Sequence, residues 1–362
     1  MSLVAGHAPT IVEATCSENK AWPRGGPHST LRLHEWSMTR LSAAVALPVL
    51  AVAAAAVLVL SLTSGSIAIP PREVLHAVLG GHGSLAADVV LGLRLPRAMS
   101  ALAIGGLLAV TGALLQALLR NPLADPYVLG VSGGASVAAL IAIMLGLPAL
   151  GVDGAAALGA LATSLLVFAL AQGGGAWTPT RLLLTGIVVA AGAGALVSLL
   201  LALGDEQRLR GMIFWLLGDL TRSERWQWLL ALLAVVAVAG VAIGRHLNVL
   251  ARGETLAVSV GLPVRRFQML LFVLSATLTG CAVSAAGSIG FVGLVTPHLV
   301  RLALGSDHRI VLPASALAGG VLLMIADLVS RVALAPRQLP VGALTALVGV
   351  PLFLILMRRE RS

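Results

Sequence analysis

The chain has 362 residues, of which 58% are hydrophobic and 11% charged. A soluble protein carries about 25% charged residues, so too little polar surface is present to cover a soluble fold, and the same composition excludes disorder for the bulk of the chain. The net charge of +9 does not point to nucleic acid, because the basic residues fall in short loops between apolar runs and not on one polar face. The class that remains is an all-α polytopic membrane protein; a membrane β-barrel would show short alternating segments instead of long apolar runs.

Residues 1–39 are polar and contain Pro23, Gly25, Gly26 and Pro27. No apolar stretch there is long enough for a signal-peptide core, and the segment reads as a disordered cytoplasmic tail. Met38, directly before the first apolar run, is a second candidate start of translation, which intact-mass measurement would decide. Lys20 is the one lysine and is followed by Ala21, so a phosphate-binding G-x-x-x-x-G-K-S/T loop is absent. Any ATP used must be bound by another chain. Cys16 and Cys281 make no disulfide framework.

Ten apolar segments follow, at residues 41–62, 98–119, 127–147, 154–172, 181–203, 226–244, 268–286, 291–304, 310–334 and 341–357. A span needs roughly 20 residues, at about 1.5 Å each, to cross about 30 Å of hydrocarbon. The eighth segment is too short for that and suggests a broken or tilted helix of the kind that lines transport paths. Ten spans place both termini on one side. The loops of that side, with the two chain ends, hold 15 basic residues against 9 on the other, so both termini are expected in the cytoplasm.

Three loops are long. Residues 63–94 and 204–225 are expected outside, and Leu209, Met212, Ile213, Trp215, Leu216 and Leu217 among charges in the second suggest a short amphipathic surface helix. The third, 245–266, is cytoplasmic and reads as two short helices separated by Gly253 and closed by Gly261-Leu262-Pro263. The spans are rich in glycine, which lets helix backbones approach closely in lipid. The dense cluster Gly280, Gly287, Gly290 and Gly293 further suggests irregular backbone at a protein-lined cavity.

Four stretches carry more specific information. Arg94-Leu95-Pro96-Arg97 puts two arginines on one side of a helix start; they serve either as interfacial snorkels or as a docking pair for carboxylates of an external partner. Asn121 to Gly134 holds two prolines, a capping Asp125 and a glycine pair. Gly290 to Arg301 reads GFVGLVTPHLVR. Ala326-Asp327-Leu328-Val329-Ser330-Arg331 is followed by Leu339-Pro340-Val341-Gly342, and Arg331 is the helical partner for the intramembrane Asp327.

In order and spacing these motifs, with ten spans, resemble the FecCD family, permease subunits of type II ABC importers for ferric siderophores, haem and cobalamin. The resemblance runs from about residue 41 to 359. It implies the ABC type II importer permease fold over residues 40–362. It implies a homodimer, two ATPase subunits that hold ATP-Mg below, and a periplasmic substrate-binding protein that docks above through acidic residues. The family's docking arginines match Arg94, Arg97 and Arg331, with Arg337 a further candidate by position. Its coupling loop matches 245–266, where Leu250, Gly253, Glu254 and Leu256 would meet the ATPase. Its cytoplasmic gate matches Thr178, Pro179 and Thr180, with Pro179 departing from the small polar residues expected there. Segments five and ten would line the path at the dimer interface.

No catalytic set is expected, no cofactor on this chain and no metal site. His298 is the one histidine in a span, and its family context favours packing or capping over ligation. The implied activity is import of an iron complex, ferric siderophore or haem, across the bacterial inner membrane; cobalamin import is the alternative. An ion-coupled secondary transporter would need buried carboxylates near mid-membrane, and an intramembrane enzyme would need a convergent polar set.

Overall fold

The computed structural model describes residues 43–65, 67–81, 83–172, 178–221 and 226–359. The tail expected at 1–39, including Met38, lies outside them. Among the described residues the fold is helical throughout, with no strands.

The first long apolar helix is α1 (Ala43–Thr63). The 63–94 loop holds two short helices, α2 (Pro71–Val78) and α3 (Leu85–Val89), and a π turn at Val90–Arg94 that runs without a break into α4 (Leu95–Leu119). Pro96 thus sits in the first turn of α4, where its missing N–H is least harmful, and the π turn absorbs the lost hydrogen bond. Arg120 closes α4 in the left-handed conformation. A 3-10 turn at Pro126–Leu129 precedes α5 (Val131–Met144), followed by α6 (Ala149–Ala171) and α7 (Pro179–Leu203). The expected amphipathic surface helix is α8 (Glu206–Leu217), which buries Met212 and Trp215.

Then come α9 (Trp226–Ala251), α10 (Glu254–Ser259), α11 (Val264–Ala286), α12 (Val292–Leu304), α13 (His308–Val332) and α14 (Val341–Arg359). The first of the two helices expected in the 245–266 loop is the end of α9; the second is α10. Among the described residues eight helical stretches are long and apolar enough to cross a membrane, and α5 and α12 are shorter apolar helices. These ten correspond to the ten apolar segments of the sequence.

The helix α12 has 13 residues, about 20 Å at 1.5 Å per residue, too short to cross. A backbone break inside a membrane needs protein partners. Here the Ile289 N–H donates to the Tyr127 hydroxyl at 2.9 Å, and Ser288 Oγ lies 3.0 Å from Ser132 Oγ. Phe291 starts α12 at φ 69°, an uncommon place for a side-chain-bearing residue, and its ring packs on Gly349 of α14.

The core is built around α4, which packs against α9, α11, α12 and α13. Of its apolar stretch 94% is buried, against 11% for α7, which lies at the periphery on α5 and α6. The small-residue stripe of α4 explains its position. A Cβ on Gly105 would run into the Gly319 carbonyl of α13 and come within 2.7 Å of Leu323 Cβ. A Cβ on Gly112 would overlap the Gly293 backbone of α12. Only glycine permits such approach, which maximises dispersion contact where lipid offers no hydrophobic drive between helices.

Candidate functional site

The two ends of α4 carry the charged features. Arg97 and Arg120 lie 23 residues apart in number, about 35 Å along a helix, so the groups around them sit on opposite faces of the membrane-spanning body.

At the first end, Arg94, Arg97 and Arg331 come together beneath a cavity of about 650 Å³, which Trp226, Pro336 and Gln338 also line. All three arginines are largely buried, at 6%, 8% and 9% exposure. Asp327 is their shared acid: Arg97 Nε donates to Oδ1 at 2.7 Å and Arg331 Nε to Oδ2 at 3.0 Å. Arg97 Nη1 also donates to Gln338 Oε1 at 2.8 Å. Arg94 Nη1 donates to the Leu62 carbonyl at 2.7 Å, and Nη2 reaches the Ile67 carbonyl. Arg331 leans on the Ser61 and Ser64 carbonyls at 3.4 Å. The cluster therefore ties α1, α4 and α13 together. Among the described residues, its three guanidiniums and one carboxylate leave an excess of two positive charges at the cavity floor. Arg337 is exposed nearby.

The Asp327–Arg331 pair follows from helical spacing, but Arg97, 230 positions from Asp327, and Gln338 gave no local signal. The pattern that could have found Arg97 is stoichiometric: a buried carboxylate in lipid seeks every nearby cation; no comparable signal pointed to Gln338.

At the other end, Gly253 takes φ 124°, reachable by glycine alone at low cost, and turns the chain from α9 into α10. Glu254, in the first turn of α10, accepts from Gln268 Nε2 at 3.0 Å and Arg120 Nη2 at 3.3 Å, which fixes the loop to α11 and α4. Leu250 is 1% exposed and faces inward, supporting the loop from within. Leu256 at 42%, with Val258 and Val260 near 60%, forms an apolar outer face.

Asp125 caps the 3-10 turn by accepting the Tyr127 N–H at 2.8 Å. Burial pushes its carboxyl up to about 6, against the pull of that N–H. Because the unfolded value is about 3.9, folding disfavours the ionised form. This penalty is full above pH 6 and gone below about pH 4. The stability of the wild type is therefore expected to gain from this group as pH falls from 7 to 4. Asp125→Asn, which keeps a capping oxygen, is expected to lack that gain in denaturant unfolding at stepped pH.

Thr178, Pro179 and Thr180 open α7. Thr178 Oγ1 caps the helix by accepting the Arg181 N–H at 3.3 Å, and Pro179 occupies the first helical position. Thr178 and Thr180 are exposed. Beyond them, α7 turns Leu184, Ile187, Val188, Leu196 and Leu199 outward, and side chains added at Gly192 or Gly194 would meet open space. His298 is buried in α12. Among the described residues no three His, Cys, Asp or Glu converge on a possible metal position.

Long apolar helices around a glycine-packed central helix, with distinct charged ends, define a multi-pass membrane protein. Residues 52–359 match the FecCD transport family. The chain is 42% identical over 281 residues to the hemin transport system permease protein HmuU of Yersinia pestis, covering 75% of this chain and 84% of that one. It is 43% identical over 277 residues to the cobalamin import system permease protein BtuC of Halobacterium salinarum, covering 75% and 74%. It is 38% identical over 320 residues to the probable siderophore transport system permease protein YfhA of Bacillus subtilis, covering 85% and 92%. A solved structure described as an inward-facing ABC transporter of metal-chelate type superposes with a TM-score of 0.77 at 30% identity, covering 88% of this chain and 99% of that one. The chain belongs to the FecCD transport family and is a transport permease.

Proposed function

We propose that the chain is the plasma-membrane permease of an ATP-driven importer, with both termini cytoplasmic, and that it acts as a homodimer between two ATPase subunits and an external substrate-binding protein. One observation carries the reading: an arginine-floored cavity and an exposed apolar turn lie at opposite ends of the same buried helix. The excess positive charge around Arg94, Arg97 and Arg331 suits carboxylates of a docking protein. Leu256 and its neighbours on α10 suit an apolar groove of the ATPase, and Gly253 with the Glu254 ties transmits the motion to α4 and α11. The outward face of α7, with α14, suits the second copy and the path between them, and Thr178, Pro179 and Thr180 form its cytoplasmic gate. Nucleotide chemistry resides on the ATPase, and this chain moves no bonds.

The substrate is an iron complex, ferric siderophore or haem, with cobalamin as the alternative. Identities of 42% to a hemin permease and 43% to a cobalamin permease do not separate them. An ion-coupled carrier is disfavoured by Asp327, the one fully buried carboxylate among the described residues, because two arginines already neutralise it.

Leu256→Asp tests the coupling role. Leu256 is exposed in the isolated chain, so folding is expected to persist. Uptake by vesicles carrying the full transporter is expected to fall at least about tenfold, as for a central interface residue. Unchanged uptake would remove α10 from the ATPase interface.

A further inference from the structure

We propose that the cytoplasmic cavity beside α10 binds phosphate oxyanions, those of an anionic phospholipid headgroup or of free phosphate. The cavity holds about 700 Å³, a size typical of ligand sites. Four separate helix ends each deliver one arginine to it: Arg120 after α4, Arg252 after α9, Arg301 near the end of α12 and Arg309 at the start of α13. Among the described residues Asp307 is the one carboxylate in its lining, and Glu254 stands beside Arg120, so these groups carry an excess of two positive charges.

Two of these arginines have carboxylate partners: Arg309 Nη2 donates to Asp307 Oδ2 at 2.7 Å, with Nε at 3.1 Å from the same oxygen, and Arg120 meets Glu254 at 3.3 Å. The two carboxylates offset two of the four guanidiniums and leave the rest of the charge to the cavity. Arg301 is held from below: it donates to Gln116 Oε1, and Gln116 is 4% exposed and itself donates to the Leu294 and Ala124 carbonyls at 3.2 and 3.3 Å. That is a built floor. The helix N-terminus is not the attraction, because Asp307 and Asn248 side chains already accept the Arg309 and His308 N–H groups at 3.0 and 2.8 Å. The guanidiniums carry the charge. One carboxylate is satisfied by one guanidinium fork, as Asp307 is by Arg309; the positive charge in excess of the two carboxylates suits an anion with more oxygens. Basic pockets between spans on the cytoplasmic side suit phospholipid headgroups.

The test reads binding alone and does not depend on which substrate is carried. The purified full chain in detergent is titrated with short-chain phosphatidylglycerol, short-chain phosphatidylcholine, inorganic phosphate and succinate, with the unfolding midpoint as readout. Phosphatidylglycerol is expected to raise the midpoint where phosphatidylcholine does not, and binding to Arg252→Gln/Arg309→Gln is expected to be at least about tenfold weaker. Arg252→Gln alone, at an exposed position, serves if the double variant does not fold. Equal protection by inorganic phosphate supports the site and names free phosphate as its source. Equal protection by succinate would make the cavity a socket for an acidic protein partner and overturn the proposal, as would no protection or binding unchanged in the variants.

Discussion

Asp327→Asn is expected to destabilise the folded permease by about 3–5 kcal/mol, the usual loss when one partner of a buried ion pair is removed. Asp327 is 1% exposed and bonded to Arg97 and Arg331, themselves 8% and 9% exposed. The amide leaves two guanidiniums close together without a counter-charge in a region of low dielectric. Asp327→Glu keeps the charge but lengthens the side chain in a packed site, so its penalty is expected near 1–3 kcal/mol. Denaturant unfolding of the purified chain in micelles checks both. A change of less than about 0.5 kcal/mol for Asp327→Asn, the range of an ordinary surface substitution, would mean that water in the cavity solvates the arginines and that the cluster ties nothing together.

The second large effect is expected at Gly112. Gly112→Ala puts a methyl group into the backbone of Gly293, which has no flexible end to move, so α4 and α12 must separate. Overpacking of this kind costs about 1–3 kcal/mol, on a helix that organises the whole core. Gly154→Ala, in α6 where a Cβ meets open space, is expected to do the opposite and gain about 0.5–1 kcal/mol from helix propensity. The sign contrast separates packing from propensity in the same unfolding measurement. A loss at Gly154 equal to that at Gly112 would contradict the packing account.

Much of this architecture was legible because membrane spans follow from length and composition. The shortness of the 291–304 segment already signalled a break, and Gly287, Ser288 and Phe291 realise it. The Gly253 turn and the amphipathic α8 were legible for the same reason: their signals are local. What was not legible is long-range. The meeting of Arg97 with Asp327 and the Gln116–Arg301 floor join residues far apart in sequence, and periodicity is silent on such pairs. Leu250 and Leu256 look alike in sequence, yet the bend at Gly253 turns one inward and leaves the other exposed. The arginines at 94, 97 and 331 were recognisable by motif and the Arg331–Asp327 pair by spacing, but their burial and the partners of Arg94 and Arg97 were not, because an arginine's long side chain hides where its head will lie.

The most direct test is uptake into proteoliposomes that hold this chain with its ATPase and its external binding protein, offered labelled haem, a ferric siderophore and cobalamin in turn. ATP-dependent accumulation of one of them, absent without the ATPase, is the predicted result, with an iron complex accumulated in preference to cobalamin. Accumulation driven by an ion gradient without the ATPase would contradict the importer account.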